Sequence, residues 1–140
     1  MSTIRGFEGI EGWQKARELT RGIYAISKTG EFSRDFALRD QIRRASISVM
    51  SNIAEGFERG GTTEFLHFLS IAKASAAEVE SQLYVALDQD YITQKQFDAL
   101  RAVSASTKRL LAGLMAYLQN CGIKGQRFKT RNGKPETRNP

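Results

Sequence analysis

The stretch from Leu38 to Gly56, LRDQIRRASISVMSNIAEG, constrains the fold more than any other part of this chain. It holds no proline, so it reads as one helix, yet it does not divide into one apolar and one polar face. At about 100° per residue, Leu38, Ile42, Val49 and Ile53 form one apolar stripe. Ile47, Met50, Ala54 and Phe57 form a second stripe, roughly a third of a turn away. Beside the first runs a seam of small and polar residues: Gln41, Ala45, Ser48, Asn52 and Glu55. Only a narrow wedge, Asp40, Arg44, Ser51 and Glu58, looks built for water. A helix apolar or small around most of its circumference is expected to be covered on several sides. In a chain of 140 residues, that points to contacts beyond a single bundle.

The punctuation on either side predicts three more helices. The first runs from about Glu11 to Lys28, with Trp13, Ala16, Leu19, Ile23 and Ile26 on one face. Gly30 ends it, and Ser33 is the expected N-cap of the second helix, which continues to about Glu58. Gly60-Gly61 breaks the chain, and Thr62 or Thr63 would cap a third helix to about Gln89. There Phe65, Leu69, Ala72, Ala76, Val79, Leu83 and Ala86 alternate by four and three, a heptad-type seam. Thr93-Gln-Lys-Gln96 is a capping box that opens the fourth helix, with Ile92 and Phe97 as its hydrophobic staple. Leu100, Val103, Thr107, Leu111, Leu114 and Leu118 line its inner face. Four such helices joined by short loops predict an all-α protein, an up-down-up-down antiparallel four-helix bundle.

The charge is distributed unevenly. Of the net +6, residues 120–140 carry +5, through Lys124, Arg127, Lys129, Arg131, Lys134 and Arg138 against Glu136. Both prolines, Pro135 and Pro140, lie there as well. This divides the chain into a nearly neutral bundle, residues 1–119, and a basic C-terminal tail, residues 120–140. No apolar run approaches the ~20 residues of a membrane span, and the N-terminus lacks the apolar segment of a signal peptide. One cysteine, Cys121, excludes an intramolecular disulfide and a multi-cysteine metal site. A cytoplasmic protein is expected.

Catalytic signatures are sparse. Gly60-Gly61 lacks the Lys-Ser/Thr of a phosphate-binding loop and sits between helices. His67 and Cys121 are far apart. Glu64 and His67 have the Glu-x-x-His spacing of di-iron bundles, but the second such motif is missing. A helix-start glutamate and a partly buried structural histidine explain the pair. Ser75, Glu78 and Gln82 form a polar seam on the third helix that matches the one on the second. With the two helices antiparallel across Gly60-Gly61, Gln41 and Arg43 would approach Glu78, and Asn52 and Glu55 would approach His67 and Glu64. A buried hydrogen-bond network that fixes register accounts for these residues better than a carboxylate-lined site, because no nucleophile or metal ligand accompanies them. Neither an enzyme nor a cofactor nor a small-molecule substrate is expected.

The run QIRRASISVMSNIAEG, with WQKA upstream and EFLHFLSIAKASAAEVESQL downstream, resembles the bacterial four-helix bundle proteins encoded within intervening sequences of 23S rRNA genes. These are sometimes labelled S23 ribosomal proteins, and their fold family includes the accessory protein of diversity-generating retroelements. The resemblance spans roughly residues 7–119. It is carried by Gln41, Arg44, Ser48 and Asn52-Ile53-Ala54-Glu55-Gly56, and by Trp13, Phe65, Leu69, Ser75, Glu78 and Leu83. Met50 stands where many members have proline, and the tail lies outside the pattern. The resemblance implies no enzymatic activity, a homopentamer, and a basic surface like the one with which the retroelement relative binds nucleic acid and its polymerase.

Two features could meet nucleic acid. Arg17, Arg21 and Lys28 share the outer face of the first helix beside Tyr24. Lys124, Arg127, Lys129, Arg131 and Lys134 would make the tail an arm that orders on binding. Neutralising ~5 phosphates would give a log-log salt slope of about −3.5 to −4.5. Plain solvated charge is the alternative for both. Arg39 and Arg43 flank Ile47 and Met50 and would line a subunit interface, unless Arg43 pairs with Glu78 within the subunit. The sequence thus points to a non-enzymatic homo-oligomeric scaffold, pentameric by resemblance, with RNA or a nucleoprotein as partner. A protein-protein adaptor without nucleic acid is the alternative. An enzyme with a site around Glu55, Glu64, His67 and Glu78 fits least.

Overall fold

The computed structural model describes residues 4–128, with side chains as far as residue 121. Four helices account for nearly all of it: α1 (Glu11–Ser27), α2 (Phe36–Arg59), α3 (Thr62–Asp88) and α4 (Gln94–Phe128). Two short 3-10 turns, Phe7–Gly9 and Glu31–Arg34, precede α1 and α2, and there is no strand among the described residues. Each helix packs on two others, α1 on α2, α2 on α3, α3 on α4 and α4 back on α1. Bonded residue pairs across the α1–α2, α2–α3 and α3–α4 seams run in opposite directions. Thr20 bonds Ser46 while Ser27 bonds Arg43, Ser48 meets Ser75 while Gln41 meets Gln82, and Arg101 meets Tyr84 while Lys108 meets Glu80.

The first α2 stripe behaves as its period demands, with Leu38, Ile42, Val49 and Ile53 all buried. They divide between two core clusters. Leu38 and Ile42 join Leu19, Ile23, Phe32, Val79, Leu83 and Phe97, whereas Val49 and Ile53 join Ile10, Ala16, Leu69, Ala72, Ala76 and Leu111. Each fully buried Leu or Ile contributes about 1.5–3 kcal/mol. The second stripe has a more local explanation than its sequence suggests. The Phe7–Gly9 turn lies against α2, and Met50 and Phe57 pack against the second cluster together with Phe7 and Trp13. Phe7 meets Trp13 edge-on at 5.2 Å between ring centroids. The segment ahead of α1 therefore covers part of the stripe. Ile47 remains 41% exposed.

The helix starts differ from one another in their chemistry. The fourth is the capping box its sequence promises: the Gln96 amide donates to Thr93 Oγ1 at 3.1 Å, and the Thr93 amide donates to Gln96 Oε1 at 2.9 Å. Ile92 and Phe97 are both buried beside it. At α2 the cap is Asp35 and not Ser33. Asp35 Oδ1 accepts from the Leu38 amide at 3.1 Å, whereas Ser33 donates backwards to the Gly30 carbonyl at 2.6 Å. Buried Phe32, stacked on Tyr91 at 5.3 Å, draws the chain into a 3-10 turn first, so α2 begins two residues later than a Ser33 cap would place it. Asp35 Oδ2 also accepts from the Tyr91 hydroxyl at 2.9 Å, and this bond is the main reason the Tyr91 pKa is raised above 10.0. One carboxylate thus caps a helix and ties the α3–α4 loop to it.

At α3 neither threonine caps. Gly61 holds the N-cap position without a side-chain bond, and Thr62 is already helical. Gly60 ends α2 at φ 84°, a left-handed conformation that glycine adopts without penalty. Helix α4 continues to Phe128, so the boundary expected at residue 119 falls inside a helix.

Candidate nucleic-acid interface

The outer side of the α1–α2 seam is built around Tyr24. Arg21, Tyr24 and Lys28 lie three and four residues apart on α1, which places them on one face. Arg43 of α2 reaches across, donating from Nε to Ser27 Oγ at 2.9 Å and laying its guanidinium 4.4 Å from the centre of the Tyr24 ring. Ser27 is fully buried, and its hydroxyl donates to the Ile23 carbonyl at 2.7 Å. Both contacts fix Arg43 in place, and a cation over a tyrosine face gains about 0.5–1 kcal/mol at a partly exposed site. Below it, the Thr20 hydroxyl lies 2.9 Å from the Ala16 carbonyl and 3.2 Å from the Ser46 carbonyl, where the two helices meet. Arg43 therefore neither approaches Glu78 nor stands free beside Ile47. It belongs to the α1 basic face.

Arg17, the next member of that face, leans on Trp13 at 5.8 Å from the ring centre. Trp13, Arg17 and Arg21 line a surface groove together with Glu8, Gln14 and Glu18. This end is thus mixed in charge, and Glu18 pairs with Lys15 at 3.0 Å. The basic character is concentrated from Arg21 to Lys28, with Arg43 opposite. Arg39 extends it: its Nη1 donates to the Ser33 carbonyl at 3.0 Å, its Nε pairs with Asp40 at 3.0 Å, and it sits 4.7 Å over Phe36. Lys124, Arg127, Lys129, Arg131 and Lys134 lie outside the residues whose side chains are described.

The polar seam joins α2 to α3 in a register shifted from the expected one. Ser48 and Ser75 hydroxyls meet at 2.9 Å, and the Asn52 amide donates to Ser48 Oγ at 3.0 Å and to the Ser48 carbonyl at 2.8 Å. Glu55 turns outward to Arg59 at 2.9 Å, so it does not approach His67 or Glu64. His67 is exposed, contrary to the partly buried position expected, and rests edge-on against Phe68. Gly56 is buried where α2 crosses Phe65 and Phe68. No three potential metal ligands gather anywhere among the described residues.

Sequence reasoning missed the link between Arg43 and Tyr24. The pairing depends on the α1–α2 register, and only the small polar residues Thr20, Ser27 and Ser46 hint at it.

With this geometry in place, the comparisons are specific. The family model for 23S rRNA-intervening sequence proteins matches residues 8–113, and the chain belongs to that family. A crystal structure of a protein with unknown function from the S23 ribosomal protein family of Bacteroides thetaiotaomicron is similar in fold, with a TM-score of 0.69. The two share 24% identity over 76% of this chain and 96% of that one. No curated protein matches the sequence. No described helix is long and apolar enough to cross a membrane.

Proposed function

We propose that this chain is a cytoplasmic, non-enzymatic helical scaffold that assembles into a homo-oligomer, a pentamer by family resemblance, and associates with RNA or a nucleoprotein. The observation that carries the nucleic-acid part is Arg43 held by Ser27 and Tyr24, which joins the basic residues of α1 to those of α2 in one surface. Backbone phosphates supply most of the affinity in such contacts, and pre-placed guanidinium groups lower the ordering cost of binding them. The family name, tied to intervening sequences of 23S rRNA, supports RNA as the partner class. Ile47, 41% exposed, and Phe36, 62% exposed, supply apolar surface at the rim for contacts between copies or with a protein.

The test is fluorescence anisotropy of the full chain with a single-stranded oligouridylate, over a salt series. Binding is expected to weaken steeply with salt, and Arg43→Ala is expected to reduce the log-log slope by about 0.7, the loss of one phosphate contact on a single strand. Arg59→Ala, at the far end of α2, serves as the control with an unchanged slope. Salt-insensitive binding, or none at low salt, would overturn the RNA reading and leave the protein adaptor. Light scattering on the same sample reports the assembly, and a monomer at micromolar concentration would remove the pentamer.

A further inference from the structure

Arg43 and Arg44 are consecutive, so their side chains leave α2 about 100° apart. The first faces α1 and the second faces α3. There Gln41, Arg44, Ala45, Ser48 and Glu78 line a cleft of about 340 Å³, within the roughly 300–1,000 Å³ range of small-ligand sites. Its charges are not used internally. Among the described residues, neither the Arg44 guanidinium nor the Glu78 carboxylate has an ion-pair or hydrogen-bond partner, although the four ion pairs elsewhere close at 2.9–3.1 Å. Behind Gln41 lies Gln82, only 9% exposed, whose Nε2 donates to Gln41 Oε1 at a long 3.4 Å. Gln82 Oε1 is buried and has no donor among the described residues. Turning the Gln82 amide over would only exchange which atom is orphaned. The remaining lining is small, Ala45 and Ser48, with the Ser48 hydroxyl 2.9 Å from that of Ser75.

A helix seam that holds an unpaired cation, an unpaired anion and an orphaned buried amide oxygen forgoes apolar packing without closing a network. Arg44 and Glu78 are exposed and solvated, so neither is spent inside the fold and both are free to meet a ligand, and only the buried Gln82 Oε1 carries the cost of an unmade bond. The fitting occupant presents an acceptor to Arg44 and donors to Glu78 on one planar edge. We propose that the cleft is a base pocket for an unpaired guanine of the RNA held on the α1–α2 face, an inference that rests on the RNA reading above. Guanine alone among the four RNA bases sets two adjacent N–H donors, N1–H and N2–H, beside an acceptor, O6. The carboxylate takes the donors and the guanidinium takes O6, and sequence-specific RNA recognition acts on splayed, unpaired bases in this way. A strand crossing α2 would place phosphates by Arg43 and turn one base in beside Arg44.

Guanosine, which carries no phosphate, isolates the pocket from the basic face. The full chain is titrated with guanosine, inosine and adenosine, following backbone amide shifts of Ala45, Ser48 and Ser75 by NMR. Saturable shifts are expected with guanosine, at least about tenfold weaker binding with adenosine, and intermediate binding with inosine, which lacks the N2 amine. Glu78→Gln and Arg44→Gln, both at exposed positions, are expected to abolish the preference while the fold, checked by circular dichroism, stays intact. Absence of saturable shifts, equal response to the three nucleosides, or a guanosine preference that survives Glu78→Gln would overturn the pocket. If oligouridylate binds with a steep salt slope and guanosine does not, the pocket fails and the basic face stands. If guanosine binds selectively and oligouridylate does not, the pocket stands as a nucleoside site and the RNA reading fails.

Discussion

The two seams that flank α3 are both polar, and they are polar in different ways. Toward α4, Ser104 is fully buried, and its hydroxyl lies 3.1 Å from the Ala76 carbonyl and 2.8 Å from Glu80 Oε2. Lys108 reaches the same carboxylate at 3.1 Å. Donors and acceptors meet and the network closes. Toward α2, Ser48, Ser75 and Asn52 close among themselves, but Arg44, Glu78 and Gln82 Oε1 are left over. Both seams fix helix register, because each pairs groups at set positions on facing helices. Only one has groups to spare. A closed network is explained by folding alone, whereas the open one leaves Arg44 and Glu78, both exposed, free to meet solvent or a ligand.

The sharpest way to break this comparison is at the tight end of the open seam. A Cβ added to Gly56 would stand 2.7 Å from Phe68 Cβ and 3.0 Å from Phe65 Cδ1. The Phe68 Cβ is fixed to its backbone and cannot rotate away, so α2 and α3 must part locally. At Gly12 the obstacle is the movable end of the Leu111 side chain, and the same addition is easier to absorb. Gly56→Ala is expected to cost about 1–3 kcal/mol, read as a lowered urea midpoint, while Gly12→Ala costs clearly less. Equal effects at the two glycines would show that Gly56 does not set the α2–α3 spacing.

The next largest effect is expected in the closed seam. Glu80→Ala takes the acceptor from Lys108 and one of two partners from Ser104. Charge-assisted bonds contribute about 1.5–3 kcal/mol, but the Lys108 side chain is 33% exposed and water replaces part of the loss. A destabilisation of about 1–2 kcal/mol in urea unfolding follows. A change near zero would make the α3–α4 network ornamental and remove the contrast with its neighbour.

What the sequence made legible follows a physical dividing line. Patterns set within one helix were readable: the Leu38–Ile53 stripe, the seam from Leu69 to Ala86, and the Thr93–Gln96 box with its Ile92–Phe97 staple all stand as their spacing implies. Features set between elements were not. The Phe7–Gly9 turn lies against α2 and packs with Met50 and Phe57 on one cluster, and no period on α2 announces it. Asp35 displaced Ser33 as cap because Phe32 stacks on Tyr91 from a loop more than fifty residues away. The polar seam was visible as a list of residues. Its register was not: Ser48 meets Ser75 and Gln41 meets Gln82, about three positions from the expected pairing, so Glu78 shares a cleft with Arg44 while Arg43 goes to Tyr24. A side chain's helix can be read from period, but its partner depends on how two helices slide.

The smallest effect is also the most informative about the open seam. Gln82 is buried, holds one long hydrogen bond to Gln41, and keeps an oxygen with no donor among the described residues. Gln82→Leu removes the orphan and adds apolar volume of similar size, while Gln41, being exposed, turns to water. Replacing poorly satisfied polar groups with apolar ones of like shape is nearly neutral or stabilising. Stability is therefore expected to stay within about 0.5 kcal/mol of the parent or to rise slightly. Glu80→Ala in the neighbouring seam moves the other way. If Gln82→Leu instead destabilises as much as Glu80→Ala, the α2–α3 seam is a structural network like its neighbour, and Arg44 and Glu78 lose their claim to an external partner. If stability holds while guanosine-induced shifts at Ala45 and Ser48 weaken, the residue serves the cleft by holding Gln41 and not by holding the fold.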